Sequence, residues 1–394
     1  MTSIELMESA LPVAPLKIAA LESCQELGKK VNDYIVGFRK DTLKEDLNSP
    51  LYSTYQMDNY LVSMRCPRFG TGEGKGVLNE SVRGKDLFII SDVSNYSLTY
   101  TVSGHLHYMS PDDHFADVKR IIAAATGKAH RINVVLPFLY ESRQHKRTKR
   151  ESLDCALALE ELIEMGVHTI ITFDAHDVRV QNAIPLNSFD NFNPPYQFMK
   201  AILRRIPDMI IDKDHLCVIS PDEGSMHRVV YLSSVLKVEM GMFYKRRDYS
   251  QVIDGKNPIV AHEYLGDSVK GKDVIIIDDL IATGESILDV AGKIKDKGAK
   301  RVICCATFGL FTEGLEKFDD YYNKGILNLL VSTNLNYQPP EIKERPYYVA
   351  ADMSKYLALI IDSLNHDISI GQVLNPTDRI HALMARHEEE LARA

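Results

Sequence analysis

Runs of apolar residues too short for buried helices alternate with amphipathic stretches along most of the chain. Lys17–Leu21, Asp86–Ile90, Arg131–Leu136 and Thr169–Phe173 read as strands. The stretch from Ser23 to about Phe38 and the stretches 112–126 and 152–165 carry helical periodicity, with Ser23 as expected N-cap and Gly166 as a stop. The polar segment 39–59, with Asn48-Ser49-Pro50, reads as an insertion or loop. The scheme repeats in the second half. Helix 196–205, strand 216–219, helix 226–237, strand 238–244, strand 274–277, helix 287–297 and strand 302–307 follow in order, with Gly298 at the expected C-cap. Strands alternating with helices predict an α/β fold with mainly parallel sheets flanked by helices. Near the end, Ile380, Leu383, Met384, His387 and Leu391 share one helical face, which predicts a helix docked on a domain or on a partner subunit.

A chain of 394 residues is long for one core and suggests two domains. The Asp-Asn-Phe-Asn-Pro-Pro run at 190–195 is the expected boundary. The expected division is a first domain over 14–193, a second over 194–375 and a C-terminal helix over 376–394. Composition changes this picture little: 45% hydrophobic and 25% charged residues are those of a globular protein. The net charge of −8 argues against a general nucleic-acid surface. The first twelve residues carry Glu5 and Glu8 and lack the pattern of a signal peptide, and no apolar run is long enough to span a membrane. The six cysteines lack CxxC spacing, so reduced thiols in a cytoplasmic protein are expected.

The most informative chemistry lies at 274–286. Val274 to Ile277 form the strand, Asp278 and Asp279 follow, and a small-residue turn, Ala282-Thr283-Gly284-Glu285-Ser286, opens the next helix. Backbone N–H groups and the helix dipole at such a turn favour a phosphate, while the paired carboxylates suit sugar hydroxyls or a divalent cation. The combination predicts a pocket for a phosphorylated sugar. Upstream, Phe69-Gly-Thr71-Gly72-Glu73 is glycine-rich but fits neither common nucleotide loop. Five basic residues between Arg143 and Arg150 suit a polyanion such as a nucleotide triphosphate. Asp174-Ala-His176 and Ser220-Pro-Asp222-Glu-Gly224-Ser225 each follow a strand, where open α/β sheets place ligands. The second precedes a helix and is a further candidate anion cradle, with Asp222 and Glu223 available to a metal ion. Lys245-Arg-Arg247 precedes a polar loop reaching about Asn257; cations on a closing loop suit phosphoryl transfer.

Taken in order, these segments resemble the ribose-phosphate diphosphokinase family, also called phosphoribosyl-pyrophosphate synthetases. The resemblance rests on Phe-x-x-Gly-Glu (69–73), Asn-Glu-x-Val-Arg-Gly (79–84), Arg143-Gln144, Asp-x-His (174–176), Ser-Pro-Asp-x-Gly (220–224), Lys-Arg-Arg (245–247) and the Asp-Asp loop (278–286). It runs from about residue 69 to the C-terminus and is weaker over 17–38. It implies two tandem phosphoribosyltransferase-like domains in a divergent, long member. The implied reaction moves the diphosphoryl group of ATP to the 1-hydroxyl of ribose 5-phosphate, with Mg²⁺, in a cytoplasmic homo-oligomer of the hexamer-of-dimers type. It also implies no nucleic-acid or membrane partner.

The same resemblance assigns Phe69, Thr71, Gly72, Glu73, Arg143 and Gln144 to ATP, and His176 and Asp222 to the metal. Lys245 and Arg247 would be catalytic. Asp278, Asp279, Ala282, Thr283, Gly284, Glu285 and Ser286 would bind ribose 5-phosphate. The chain departs from the family pattern at Thr71 and His145, where Asp is usual, at Ala282, where Asp is common, and at Glu285, where Gly is. Two other readings share parts of the pattern: a phosphoribosyltransferase that consumes the diphosphate product, and a non-catalytic regulatory paralogue.

Overall fold

The structure, a computed structural model, describes residues 10–43, 54–247, 259–373 and 376–393, with backbone only at 245–247, 259–262 and 372–373. Its contacts divide into two compact units. The first comprises Met1–Asn193, Asn334–Tyr337 and Asp352–Asn375; the second comprises Pro194–Thr333, Gln338–Ala351 and Pro376–Ala394.

The first unit opens with β1 (Leu16–Ala20) and α1 (Gln25–Leu43), followed by the two-residue strands β2 (Met64–Arg65) and β3 (Val77–Leu78). Then come β4 (Asp86–Ile90), a hairpin of β5 (Thr99–Val102) and β6 (His105–Tyr108), α2 (Pro111–Ala125), β7 (Arg131–Val135), α3 (Asp154–Glu164), β8 (Thr169–Phe173) and β9 (Ser188–Phe192). Five strands form a parallel sheet in the order β1-β4-β7-β8-β9, which follows the chain without reversal. Every residue of β4 is buried, as expected of a central parallel strand covered on both faces. Leu87 and Ile89 pack with Val118, Ile121, Leu159 and Leu162 of α2 and α3. Phe88 and Ile90 alternate with them and point to the opposite face. α2 starts at a capping box, Ser110 with Asp113, followed by Pro111.

Three expectations change here. The segment 39–59 is not loop from its start: α1 continues to Leu43, and Arg39 is buried at 1% exposure. Residues 44–53 of that segment lie outside the described residues. Ser23 does not cap α1. It sits in a short 3₁₀ turn, and its hydroxyl accepts from the Asp92 N–H (3.1 Å) and meets Ser91 (3.3 Å). The run at 190–195 does hold the division between the units, at Asn193 and Pro194, but it is half strand, because Asp190–Phe192 pair with β8.

The second unit continues with α4 (Pro195–Arg205), β10 (Leu216–Ser220), α5 (Met226–Leu236), β11 (Glu239–Arg247), β12 (Ile259–Gly266), β13 (Asp273–Ile281), α6 (Glu285–Asp296), β14 (Arg301–Gly309), α7 (Glu316–Asn323), β15 (Leu329–Thr333) and β16 (Tyr348–Ala351). Seven strands form one sheet in the order β12-β11-β10-β13-β14-β15-β16, parallel except for the antiparallel β11–β12 pair. Alternate residues of the central strands serve opposite layers. Val274, Ile276, Val302 and Cys304 pack under α6 and α7, and Ile275, Ile277, Ile303 and Cys305 under α4 and α5. The adjacent thiols of Cys304 and Cys305 are therefore fully buried on opposite faces, and burial pushes Cys304 up to about 12. All six cysteines are free.

The last helices divide between the units. α8 (Ser354–Asn365) packs against α1, and it and α9 (Ile370–Val373) group with the first unit, although the sequence reading had placed 352–375 in the second domain. α10 (Pro376–Arg393) docks its expected face on the second unit. Ile380 is fully buried there, Leu383 and Met384 are partly buried, and His387 Nε2 meets the Met209 carbonyl at 2.7 Å. No helix among the described residues is long and apolar enough to cross a membrane.

Candidate active site

The strand order of the second sheet reverses between β10 and β13, since β11 lies on one side of β10 and β13 on the other. At such a switch point the loops leaving the two strands diverge to opposite faces and open a crevice at their carboxyl ends. Here those loops are 221–225 and 282–284.

β13 runs four residues beyond the expected Ile277, because β14 stays paired with it through Ile281↔Gly309. Asp278 and Asp279 thus lie on the strand itself. Three backbone features set the turn that follows. The Leu310 N–H donates to the Ile281 carbonyl (2.8 Å) and the Thr312 N–H to the Ala282 carbonyl (3.0 Å). Gly284, just before α6, has φ +86°, and a Cβ there would lie 2.3 Å from the Phe318 ring, so glycine is required twice over. The first helical carbonyl, that of Gly284, accepts from the Leu288 N–H (3.0 Å). The result is a helix N-terminus whose N-cap residue, Gly284, offers no side-chain cap, with the Glu285 N–H directed at Thr283 Oγ1 (3.3 Å), a geometry suited to an anion. Glu285 would oppose one, but it is exposed and its carboxylate receives Lys317 Nζ at 3.0 Å.

The other wall is built by the loop after β10. Ser220 Oγ donates to the Asp222 carbonyl (2.5 Å), and Asp222 Oδ1 accepts from the N–H groups of Gly224 (2.9 Å) and Ser225 (3.3 Å). This Asx turn holds Asp222 half-buried. Ser225, 1% exposed, donates its hydroxyl to Asp278 Oδ1 at 2.5 Å. Arg228, in the first turn of α5, lies with Nη2 3.8 Å from Asp279 Oδ2. Burial, followed by the Asp279 charge, holds the Asp278 carboxyl well above the usual carboxylate range. Arg228 was not expected from sequence, and Ser225 entered there only as the last residue of a candidate anion cradle. One signal was available: Arg228 is the single Lys, Arg, Asp or Glu in the helix Met226–Leu236.

Lys245 and Arg247 close β11, which pairs with β10 on the side away from β13. Their side chains and residues 248–258 lie outside the described residues.

In the first unit, Phe69 to Glu73 form a tight turn. The Phe69 N–H donates to the Glu73 carbonyl (2.8 Å), the Gly72 N–H to the Phe69 carbonyl (2.9 Å) and Thr71 Oγ1 to Glu73 Oε2 (2.7 Å). Gly72 has φ +93°. Phe69 is 57% exposed and borders a cavity of about 590 Å³, which is also lined by Ser23, Arg68, Tyr100, His114 and Asp117. The β5–β6 hairpin over this cavity was not among the expected elements, although Thr-Tyr-Thr-Val and His-Leu-His-Tyr alternate polar and apolar residues around a Ser103-Gly104 turn.

Arg143 and Gln144 are exposed in the loop after β7; the Gln144 N–H donates to the carbonyl of Glu141, which has φ +53°. His176 follows β8, the neighbour of β7. The fold brings the His145 ring within 5.3 Å of the His176 ring, and His145 Nε2 within 3.6 Å of Asp177 Oδ2. Burial lowers His145, favouring its neutral form, while the Arg179 hydrogen bonds hold Asp177 well below the carboxylate range. Among the described residues no three His, Cys, Asp or Glu side chains form a ready-made metal cluster. Of the two expected metal ligands, His176 belongs to the first unit and Asp222 to the second.

Residues 16–166 match the family model of the N-terminal domain of ribose phosphate pyrophosphokinase, and residues 197–345 match that of the phosphoribosyl transferase domain. A ribose-phosphate pyrophosphokinase of Mycoplasma genitalium is 29% identical over 275 residues, covering 69% of this chain and 74% of that protein. One from Fusobacterium nucleatum is 27% identical over 313 residues, covering 78% and 89%. Among solved structures, phosphoribosylpyrophosphate synthetase from Mycobacterium smegmatis shares the fold, with a TM-score of 0.69 at 22% identity over 89% of this chain and 99% of that one.

Proposed function

The chain belongs to the ribose-phosphate pyrophosphokinase family, and from that premise we propose that it transfers the diphosphoryl group of ATP to the 1-hydroxyl of ribose 5-phosphate. The products are 5-phosphoribosyl 1-diphosphate, a precursor for nucleotide synthesis, and AMP. The observation that carries this reading is the switch-point crevice: a helix N-terminus opened by Gly284 after the strand that carries Asp278, in a chain whose other unit matches the family's N-terminal domain. A phosphoribosyltransferase would need the crevice but not that N-terminal unit.

In this reading the backbone of Ala282 to Ser286 receives the 5-phosphate, and the carboxylate side of the crevice, Asp278 with Asp279, faces the ribose hydroxyls. Phe69, Thr71, Gly72 and Glu73 with Arg143 and Gln144 serve the nucleotide. An exposed aromatic ring next to a tight backbone turn suits a purine, and exposed cations suit its phosphates. Lys245 and Arg247 meet the charge that develops on the transferring group. Asp222 and His176 would hold Mg²⁺. Asp222 fits a hard cation, since its Oδ1 is fixed by two backbone donors and the carboxylate stays half-exposed. When bound, the ion neutralises phosphate oxygens. The setting is cytoplasmic and the assembly a homo-oligomer, for which sedimentation of the purified chain is the measure.

The test is AMP formation from ATP and ribose 5-phosphate with Mg²⁺. We expect AMP and 5-phosphoribosyl 1-diphosphate in equal amounts. Replacing Lys245 by Ala should lower kcat about a hundredfold or more, the loss typical of one transition-state charge contact. A wild type that makes no AMP would overturn the reading. In that case, base-dependent diphosphate release would indicate a phosphoribosyltransferase, and altered turnover of an active synthetase on mixing would indicate a regulatory paralogue. Thr71, His145, Ala282 and Glu285 are the residues that give the paralogue its case.

A further inference from the structure

Adjacent aspartates on one strand project to opposite faces, so two carboxylates that both serve one crevice need something to steer them. Asp279 is 8% exposed and Asp278 more open. On Asp278 the two oxygens are not equivalent. Oδ1 accepts both the Ser225 hydroxyl (2.5 Å) and the Asp279 backbone N–H (2.9 Å), which occupies the two lone-pair directions of one carboxylate oxygen. Ser225 Oγ is itself 3.4 Å from Arg228 Nη1, a donor, so its own proton is directed at Asp278. The same guanidinium lies 3.8 Å from Asp279 Oδ2, with side chains 8% and 11% exposed. Three buried groups thus form a chain from Asp279 through Arg228 and Ser225 to one face of Asp278.

We propose that Ser225 and Arg228 are positioning residues that divide the labour of the two carboxylates: Asp278 presents Oδ2 to a sugar hydroxyl, and Asp279 serves as the buried counter-charge of Arg228. A carboxylate turns easily about its last side-chain bond, and without the Ser225 donor Asp278 would present either oxygen over a wide range of angles. Holding Oδ1 removes that freedom before the sugar arrives, which is how preorganisation raises affinity. Arg228 orients the hydroxyl and offsets the second negative charge, allowing two acids to persist side by side away from water. The assignment rests on ribose 5-phosphate as ligand of this crevice. It narrows that reading, since Asp279 supports the sugar site without touching the sugar.

The experiment uses the full-length chain and two readouts, steady-state kinetics and calorimetric titration with ribose 5-phosphate. Ser225→Ala should raise both KM and Kd for ribose 5-phosphate about tenfold, the upper end of the effect of losing one hydrogen bond. KM for ATP should move less than about twofold. Ser225→Thr, which keeps the hydroxyl, should recover most of the affinity, and Arg228→Met should resemble Ser225→Ala where Arg228→Lys does so less. In an Asp278→Ala background Ser225→Ala should change Kd by less than about twofold, because a residue acting through Asp278 has nothing left to position. An equal loss in both backgrounds, or no loss in the single variant, overturns the assignment. Wild type that binds ribose 5-phosphate but makes no AMP overturns the reaction alone, and the titrations still decide the role of Ser225. Wild type that does not bind the sugar phosphate overturns both.

Discussion

Single residues carry the chemistry of the second unit through backbone shape as much as through side chains. Gly284 shows this most sharply. Its positive φ costs a non-glycine residue about 1–2 kcal/mol, and any Cβ meets Phe318, itself fully buried. Gly284→Ala should therefore destabilise the protein by about 2–4 kcal/mol, read as a fall in thermal midpoint, and weaken ribose 5-phosphate binding at least tenfold. Adding Phe318→Leu should recover part of the stability by relieving the contact, but not the part due to φ. Glu285 poses the opposite question, a negative charge at the mouth of an anion site. Lys317 draws that charge aside, with Glu313 sharing the ammonium at 2.7 Å. Glu285→Gln should accordingly lower KM for ribose 5-phosphate only two- to threefold, most visibly at low salt, because the pair is exposed and screened.

At the scale of elements, local pattern and observed structure agree wherever one face is buried. β4, β10, β13 and β14 were legible as short, nearly continuous apolar runs because both their faces are buried, and the helices between them because burial of one face imposes period 3.6. The β2–β3 pair was not, since two-residue strands are too short to show a period, whereas β5 and β6 do alternate around Ser103-Gly104 and their hairpin was legible though not expected. α10 is the instructive intermediate. Its stripe was readable, but the surface it covers was not. Ile380 enters the core beside α4 and α5, and Tyr231 Oη meets Thr377 Oγ1 at 3.0 Å. Ending the chain at residue 375 should therefore expose that apolar surface and cost about 2–4 kcal/mol, with a raised tendency to aggregate measurable by light scattering.

Over the whole molecule, the largest departures from the sequence reading come from long-range polar pairing. Arg39, expected in a polar loop, donates to Asp362 through Nε (2.9 Å) and Nη2 (2.7 Å) and to Asn365 (2.7 Å), 323 and 326 residues away. His366 joins the same buried group through Tyr55, and burial holds its imidazole below the ordinary value. A histidine with a depressed folded pKa contributes stability above its unfolded value of about 6.5 and loses it progressively as pH falls below that. The thermal midpoint should drop between pH 7.5 and 5.5, and His366→Gln, although less stable at pH 7.5, should flatten that slope. Asp362→Asn should cost about 3–5 kcal/mol by leaving a buried guanidinium without its carboxylate. The α/β layering, the strand–turn–helix at 274–286 and the family were legible along the chain, because each depends on neighbouring residues or on their order. The switch point between β10 and β13, the reach of Ser225 and Arg228 to the carboxylates, and the place of Arg39 in the core depend instead on contacts between distant segments. The physical reason is one of range. Periodicity records which side of an element faces water, whereas the partner of a buried charge is set by how distant segments meet.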